Sequence, residues 1–333
     1  MRPLPTLPLR GDTVSIEPPA AALASDELPP LDRSIAPWPV HTVPVGRASI
    51  AVRVTPATRA GAQPALYVHG LGGSATNWTD LAALLAPWLA GEAIDLPGFG
   101  RSGPAPNGDY SLRAHAATVI DYLDQSGHGS VHLLGNSMGG AICILLAASR
   151  PDLVRTLTLI SPAVPDLRPR ITSRDPYLPL TALPAIGPLA LRWLERMGPE
   201  RRARGIIELC FADPAVVPPN RFAEAIDEVR YRSSTVWSTD AFVRSLRGLI
   251  AAYFPRGARS LWAQLARITA PTLVVWGDRD RLVDVALAPR VARTVPNGRL
   301  LINRGVGHVS QIEQPVVTSR AVVGLLQDAQ VTG

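Results

Sequence analysis

The chain has 333 residues, 47% hydrophobic and 18% charged, so it can bury a sizeable core and global disorder is excluded. All 33 basic residues are Arg, and we interpret the net charge of +6 as a solvated basic surface rather than a nucleic-acid site. Two cysteines, Cys143 and Cys210, are too few for a disulfide framework or a metal cluster.

The first 38 residues are rich in Pro and Ala and have neither helical nor strand periodicity, which predicts an extended or partly disordered N-terminal arm. They contain no continuous apolar segment typical of a signal peptide, and no apolar run long enough to span a membrane follows. We therefore expect a cytoplasmic protein. From Val40 to Val54 the sequence alternates in strand fashion around the turn Gly46-Arg47, which predicts a β-hairpin.

Strand and helix patterns then alternate, which is typical of a parallel sheet covered by helices on both faces. One predicted helix rests on the spacing of Leu81, Leu84, Leu85 and Leu89. The predicted strands are 65–68, 131–134 and 157–160, and the other predicted helices are 110–124 and 138–149.

The alternation stops between residues 165 and 267, where the sequence is helical, amphipathic and broken by Pro and Gly. We predict that 165–267 is a helical cap inserted into an α/β core made of 39–164 and 268–333. The least polar stretch of the cap, 177–186, could line an acyl pocket; with two prolines and no basic face it is a poor membrane anchor. Strand patterns return at 272–277 and 299–302, and a last helix is predicted near 315–330.

The pentapeptide Gly135-Asn136-Ser137-Met138-Gly139 matches G-x-S-x-G and lies between a predicted strand and a predicted helix. In this context the motif holds Ser on a sharp, strained turn with its hydroxyl exposed above the sheet. The backbone N–H of Met138, at a helix N-terminus, can stabilise developing negative charge. Ser137 is therefore the candidate nucleophile.

A serine hydroxyl needs a base, and the base needs an acid that orients it. His308 is the only histidine after Ser137, and it follows the predicted strand 299–302. Asp278 and Asp280 both follow the strand 272–277, with Asp166 as an outside candidate. Asp278 is expected to make turn hydrogen bonds.

Four blocks in this order resemble the cap-bearing branch of the α/β-hydrolase superfamily: His69 to Gly73, Asp95 to Ser102, Gly135 to Gly140, and Gly277…Asp280 with Gly307-His308. The resemblance implies an α/β-hydrolase fold with a mostly parallel sheet. It also implies Asp280 as the acid, and the backbone N–H groups of Leu71 and Met138 as the oxyanion hole. Epoxide hydrolases and haloalkane dehalogenases have an Asp nucleophile where this chain has Ser137. The resemblance to those enzymes is therefore one of fold and not of mechanism.

The remaining histidines receive no chemical role. The resemblance implies that His69 is a structural residue of its loop. His115 is expected on a helix surface, His128 in a loop and His132 at the start of a strand. The block that begins at Asp95 is expected to shape a turn under the site.

These residues favour a serine hydrolase that cleaves carboxylic esters of hydrophobic small molecules through an acyl-enzyme, with no metal or organic cofactor. The block Gly135 to Gly140 also resembles the meta-cleavage-product hydrolases, which cut carbon–carbon bonds in dienoic acids. Two departures disfavour that alternative: Leu71-Gly72-Gly73-Ser74 lacks the Pro of their longer oxyanion loop, and Val309 replaces the aromatic residue that often follows their catalytic His. Cofactor-free perhydrolase or haloperoxidase activity, and a ligand-binding receptor with little turnover, are further alternatives. The sequence leaves the oligomeric state open.

Overall fold

A computed structural model describes residues 17–166 and 196–332. We number its elements in chain order within these ranges. The strands are β1 (Val40–Val45), β2 (Ala48–Thr55), β3 (Gln63–Val68), β4 (Leu89–Ile94), β5 (Val131–Asn136), β6 (Val154–Ile160), β7 (Thr272–Gly277) and β8 (Gly298–Asn303). The α-helices are α1 (Thr79–Leu85), α2 (Leu112–Ser126), α3 (Met138–Ser149), α4 (Pro199–Cys210), α5 (Pro219–Ser234), α6 (Ser238–Ala251), α7 (Leu261–Leu265), α8 (Ala288–Thr294), α9 (Ser310–Glu313) and α10 (Pro315–Thr332).

The eight described strands form one sheet in the order β1-β2-β4-β3-β5-β6-β7-β8. The hairpin of β1 and β2 is antiparallel, and β2 pairs antiparallel with β4. Every other pairing is parallel. The expected hairpin and mostly parallel sheet are therefore confirmed. Because β5, β7 and β8 run in the same direction, their carboxyl ends lie at one edge of the sheet, where open α/β sheets build their sites.

The core has two layers, one on each face of the sheet, because successive strand residues point to opposite faces. On β5, Leu133 packs in the layer that contains residues of α2, α3 and α8, whereas Leu134 packs in the layer of α1 and α10. Val274 and Val275 divide in the same way on β7. Both faces are thus covered by helices, and strands buried on both sides read as continuous apolar runs.

Local sequence sets some element boundaries well and others poorly. Helix α2 begins after Ser111, whose hydroxyl accepts the N–H of Ala114. It ends at Ser126, and the next residue, Gly127, has a φ of 72°. In contrast, α1 ends at Leu85, and Leu89 begins strand β4. The helical spacing of Leu89 with Leu85 was a coincidence of two apolar elements, and the prediction of one helix through Leu89 is wrong.

Helices α4 to α7 lie between β6 and β7. We call the described residues 196–267, which belong to the stretch predicted as a cap, the cap segment. The apolar stretch 177–186 lies outside the described residues. Among the helices that the structure describes, none has both the length and the apolar character needed to cross a bilayer.

Residues 17–38 form an extended arm that packs along the core. Ala20 makes a parallel bridge with Leu300 at the edge of β8. Further along, Ala24 is buried against α10, and the carbonyl of Ala24 accepts a hydrogen bond from Arg320 at 2.8 Å. The Arg33 guanidinium then donates to the carbonyl of Val216 in the cap segment at 3.0 Å. The arm therefore contacts the sheet, α10 and the cap segment.

Candidate active site

Ser137 lies on the turn between β5 and α3, with a φ of 55° and a ψ of −118°. A positive φ is strained for a residue with a Cβ, and such strain persists only where the surroundings hold it. The N–H of Ser137 donates to the carbonyl of Ile160 on β6, and its own carbonyl accepts from Ala141 and Ala163. The backbone conformation is that of a nucleophile elbow.

The glycine two residues after Ser137 is required by a close backbone approach. A Cβ on Gly139 would lie 2.2 Å from the carbonyl oxygen of Val68 and 2.5 Å from that of His69. Only glycine lets the first turn of α3 press against the end of β3 in this way. The loop that carries Leu71 is consequently held next to the nucleophile, since a Cβ on Gly70 would lie 3.1 Å from the Cβ of Ser137.

His308 and Asp280 meet at the carboxyl ends of β7 and β8. Nδ1 of His308 lies 2.8 Å from Oδ2 of Asp280, and both side chains are almost fully buried. The other oxygen of Asp280 accepts the N–H groups of Leu282 and Val283 at 2.8 and 3.0 Å. In contrast, Asp278 accepts the N–H of Gly305 at 2.7 Å, a hydrogen bond to the loop after β8 and not within its own turn. The carboxylate that meets the imidazole is that of Asp280.

The environment keeps Asp280 ionised. Burial by itself raises its pKa, but the charge and hydrogen bond of His308 and the two backbone N–H groups together hold the pKa below its usual range. An ionised Asp280 can fix the tautomer of His308 that carries its proton on Nδ1, which leaves Nε2 as the acceptor.

Asn136 connects the turn of Ser137 to the loop that contains Gly307 and His308, which we call the histidine loop. Its side-chain amide donates to the carbonyl of Ile160 at 3.1 Å and to the carbonyl of His308 at 3.2 Å. The residue is buried, next to Ser137 in the chain. Sequence reasoning gave Asn136 no role, although its position inside the G-x-S-x-G block was a signal that could have drawn attention to it.

Three of the other histidines, His69, His115 and His132, are buried. In His69, Nδ1 donates to the Gly70 carbonyl at 2.7 Å and Nε2 accepts the N–H of Leu96 at 3.0 Å, which is the arrangement of a structural residue. The expectation that His115 lies on a helix surface is wrong: its side chain is buried and contacts Ser245 of α6 at 3.1 Å. Burial lowers the pKa values of His69, His115 and His132 to about 4.

The cap segment contacts the loop that carries Leu71. The Arg232 guanidinium of α5 donates to the carbonyl of Gly72 at 2.5 Å. The ring of Phe242 on α6 lies 3.2 Å from where a Cβ of Gly72 would be. One cation and one aromatic ring of the cap therefore border the predicted oxyanion loop. Within the described residues, no group of three His, Cys, Asp or Glu side chains is arranged to hold a metal ion.

Residues 65–321 match the model of the alpha/beta hydrolase family, which covers most of the chain and all four sequence blocks. The chain belongs to the alpha/beta hydrolase family. It is therefore a hydrolase, with the fold that the sequence blocks predicted.

The chain is similar to a 2-hydroxy-6-oxononadienedioate/2-hydroxy-6-oxononatrienedioate hydrolase of Cupriavidus pinatubonensis, with 28% identity over 81% of this chain and 88% of the relative. Among solved structures it resembles a membrane phospholipase A described as a bacterial virulence factor, with a TM-score of 0.71, 25% identity and coverage of 90% and 88% of the two chains. It shares its fold with the meta-cleavage product hydrolase CumD of Pseudomonas fluorescens IP01, with a TM-score of 0.68, 18% identity and coverage of 87% and 98%.

Proposed function

We propose that this hydrolase cleaves carboxylic esters of hydrophobic small molecules through an acyl-enzyme on Ser137. The observation that carries the proposal is the 2.8 Å contact between Nδ1 of His308 and Oδ2 of Asp280. Asn136 joins the backbone of His308 to the turn that holds Ser137 in an elbow conformation. A nucleophile, a base and an orienting acid are the parts that acyl transfer needs.

In the proposed reaction, Nε2 of His308 takes the proton of the Ser137 hydroxyl as its oxygen attacks the ester carbonyl. The resulting oxyanion accepts hydrogen bonds from the backbone N–H groups of Leu71 and Met138. His308 then gives the proton to the leaving alkoxide, and a water activated by the same imidazole hydrolyses the acyl-enzyme. The ionised Asp280 stabilises the imidazolium in both halves of the cycle.

The cap segment gives the proposed site an apolar side. Phe242 borders the loop of Leu71. Val309, next to His308, packs with Ile207 of α4 and with Phe211, the residue that follows this helix. Apolar walls with a few polar groups are typical of small-molecule sites and exclude water from the reacting atoms. This composition supports a hydrophobic acyl or alcohol group.

Carbon–carbon bond cleavage in a dienoic acid is the second candidate. It is favoured by the 28% identity to the hydrolase of Cupriavidus pinatubonensis and by the guanidinium of Arg232 beside Gly72, which suits a substrate carboxylate. The apolar packing of Val309, where the meta-cleavage-product hydrolases often have an aromatic residue, favours the ester.

The decisive experiment compares wild type, Ser137→Ala and the matched control Ser149→Ala, which changes a serine at the opposite end of α3. We expect Ser137→Ala to lower kcat on p-nitrophenyl butyrate by roughly 10³-fold or more, because triad members act as a unit. A fluorophosphonate probe should label wild type and Ser149→Ala once and Ser137→Ala not at all.

The same proteins are assayed on a 2-hydroxy-6-oxodienoate, whose coloured dienolate disappears on cleavage. Turnover of the dienoate without turnover of the ester contradicts the ester proposal and supports the second candidate. Labelling that persists in Ser137→Ala contradicts the assignment of Ser137 as the nucleophile, whichever of the two reactions the enzyme catalyses.

A further inference from the structure

Glu313 is a buried carboxylate five residues after His308, at the end of α9, with 7% of its surface exposed. Its Oε1 accepts the N–H of Gly307 at 2.7 Å, and its Oε2 accepts the N–H of Ala212 at 2.8 Å. Gly307 belongs to the histidine loop, whereas Ala212 follows α4 in the cap segment. A single side chain therefore bridges the cap segment and the loop that carries the candidate base.

The contact between the end of α4 and the histidine loop is tightly packed. The N–H of His308 donates to the carbonyl of Cys210, the last residue of α4, at 2.7 Å. A Cβ on Gly307 would lie 2.4 Å from that carbonyl oxygen, so only glycine fits. Val309, on the other side of His308 in the chain, adds apolar packing with Ile207 and Phe211. The histidine loop therefore packs directly against the end of α4.

A carboxylate suits this position because it faces two backbone donors. Each of its oxygens accepts one N–H, whereas an amide has a single acceptor oxygen and would turn an NH₂ toward one of the donors. Burial raises the pKa of Glu313, although the backbone N–H groups oppose that rise. The titratable groups that interact with it are Asp280 and Cys210, and burial raises the pKa of Cys210 to about 12, so that thiol is neutral.

We propose that Glu313 is a positioning residue for His308, which fixes the histidine loop against the cap segment and adds a negative charge beside the Asp280–His308 pair. This inference rests on the proposed function in that it takes His308 as the base that activates Ser137. Glu313 contacts no reacting atom; it acts through the backbone of Gly307 and through its charge.

The test compares wild type with Glu313→Gln and Glu313→Asp, and with Glu200→Gln as the matched control. Glu200 is an exposed carboxylate in the first turn of α4. We expect Glu313→Gln to slow fluorophosphonate labelling of Ser137, and kcat on a p-nitrophenyl ester, by about 10- to 100-fold, since a misplacement of about 1 Å can cost as much as 10²-fold. KM should change far less than kcat.

The pH profile separates positioning from a merely structural role. Loss of the negative charge destabilises the imidazolium of His308, so the acid limb of kcat/KM should move to lower pH in Glu313→Gln. Glu313→Asp keeps the charge but shortens the side chain, so it should lower kcat and leave the acid limb in place. Glu200→Gln should behave as wild type in every assay.

A folded Glu313→Gln protein that is labelled at the wild-type rate, with an unmoved acid limb, overturns the proposal. If Glu313→Gln does not fold, Glu313→Asp is used in its place. Labelling of Glu313→Asp at the wild-type rate would then overturn the proposal. The labelling readout also separates this proposal from the ester assignment: a wild type that is labelled but cleaves no ester contradicts the substrate class alone.

Discussion

At the scale of single residues, the site depends on which of two neighbouring carboxylates meets the imidazole. Asp280 touches Nδ1 of His308, while Asp278, two residues earlier, holds the N–H of Gly305. The difference follows from backbone geometry: the N–H of Asp280 turns back toward the carbonyl of Gly277, and the N–H of Asp278 still pairs with Asn303 across the sheet. Asp278 therefore continues the backbone pairing of the sheet, whereas Asp280 lies in the turn that follows it.

The first prediction at this scale concerns Asp280→Asn. Asn keeps an acceptor oxygen for Leu282 and Val283, but its NH₂ would face Nδ1 of His308 and favour the wrong tautomer. We expect kcat to fall on the order of 10⁴-fold with little change in thermal stability. Asp278→Asn is the matched control and should lose far less activity, because its oxygen can still accept the N–H of Gly305. A larger loss in Asp278→Asn would contradict the assignment of the acid.

At the scale of elements, the N-terminal arm is the feature that pattern reasoning described least well. Its sequence has no periodicity, yet residues 17–38 pair with β8, α10 and the cap segment. Many of these contacts use backbone groups, which leave no signature in the side-chain sequence. The arm also covers part of the edge of β8, the last strand of the described sheet, and an uncovered edge is a site of aggregation.

Truncation tests the contribution of the arm. We compare a protein that lacks residues 1–16 with one that lacks residues 1–36, so that the difference between them isolates residues 17–36. The second truncation removes the bridge of Ala20 to β8, the burial of Ala24 and the hydrogen bond from Arg33 to Val216. We expect it to melt about 3–5 °C lower, because a loss of about 2–3 kcal/mol corresponds to that shift in a domain of this size. Equal melting temperatures would mean that the arm adds no stability.

At the scale of the whole molecule, the residues that sequence reasoning identified are those with a local signature. The elbow around Ser137 has a local signature, because the strand, the turn and the helix that form it are consecutive in the sequence. His308 follows from chain order, because it is the only histidine after Ser137. Chain order left Asp278 and Asp280 open, and only the resemblance to the α/β-hydrolase superfamily favoured Asp280. Glu313 and Asn136 could not be assigned in this way, since each also bonds a distant backbone group: Ala212 lies 101 residues from Glu313, and His308 lies 172 residues from Asn136. The buried side chain of His115 likewise contacts Ser245, 130 residues later in the chain.

Three buried histidines give the whole molecule a pH-dependent stability. The pKa values of His69, His115 and His132 fall to about 4 because burial disfavours the charged imidazolium, while an unfolded chain has a histidine pKa near 6.5. Between these values the unfolded state binds more protons than the folded state. Stability is therefore highest above about pH 6.5 and falls as the pH drops toward 4. The raised pKa values of Asp95 and Glu313 act in the opposite direction.

His132 isolates one of these contributions. Its Nδ1 contacts the Thr156 hydroxyl and its Nε2 the Gln63 side chain, both at 2.8 Å. We expect His132→Asn to weaken the pH dependence by one proton, so that the loss of unfolding free energy between pH 6.5 and 4.5 shrinks by up to about 3 kcal/mol. The measurement is a series of urea denaturation midpoints against pH, with His41→Asn, at an exposed position on β1, as the control. Because the slope is compared and not the absolute stability, a general destabilisation by the substitution does not imitate the result. A slope equal to that of wild type would mean that His132 is not a buried neutral histidine in the folded protein.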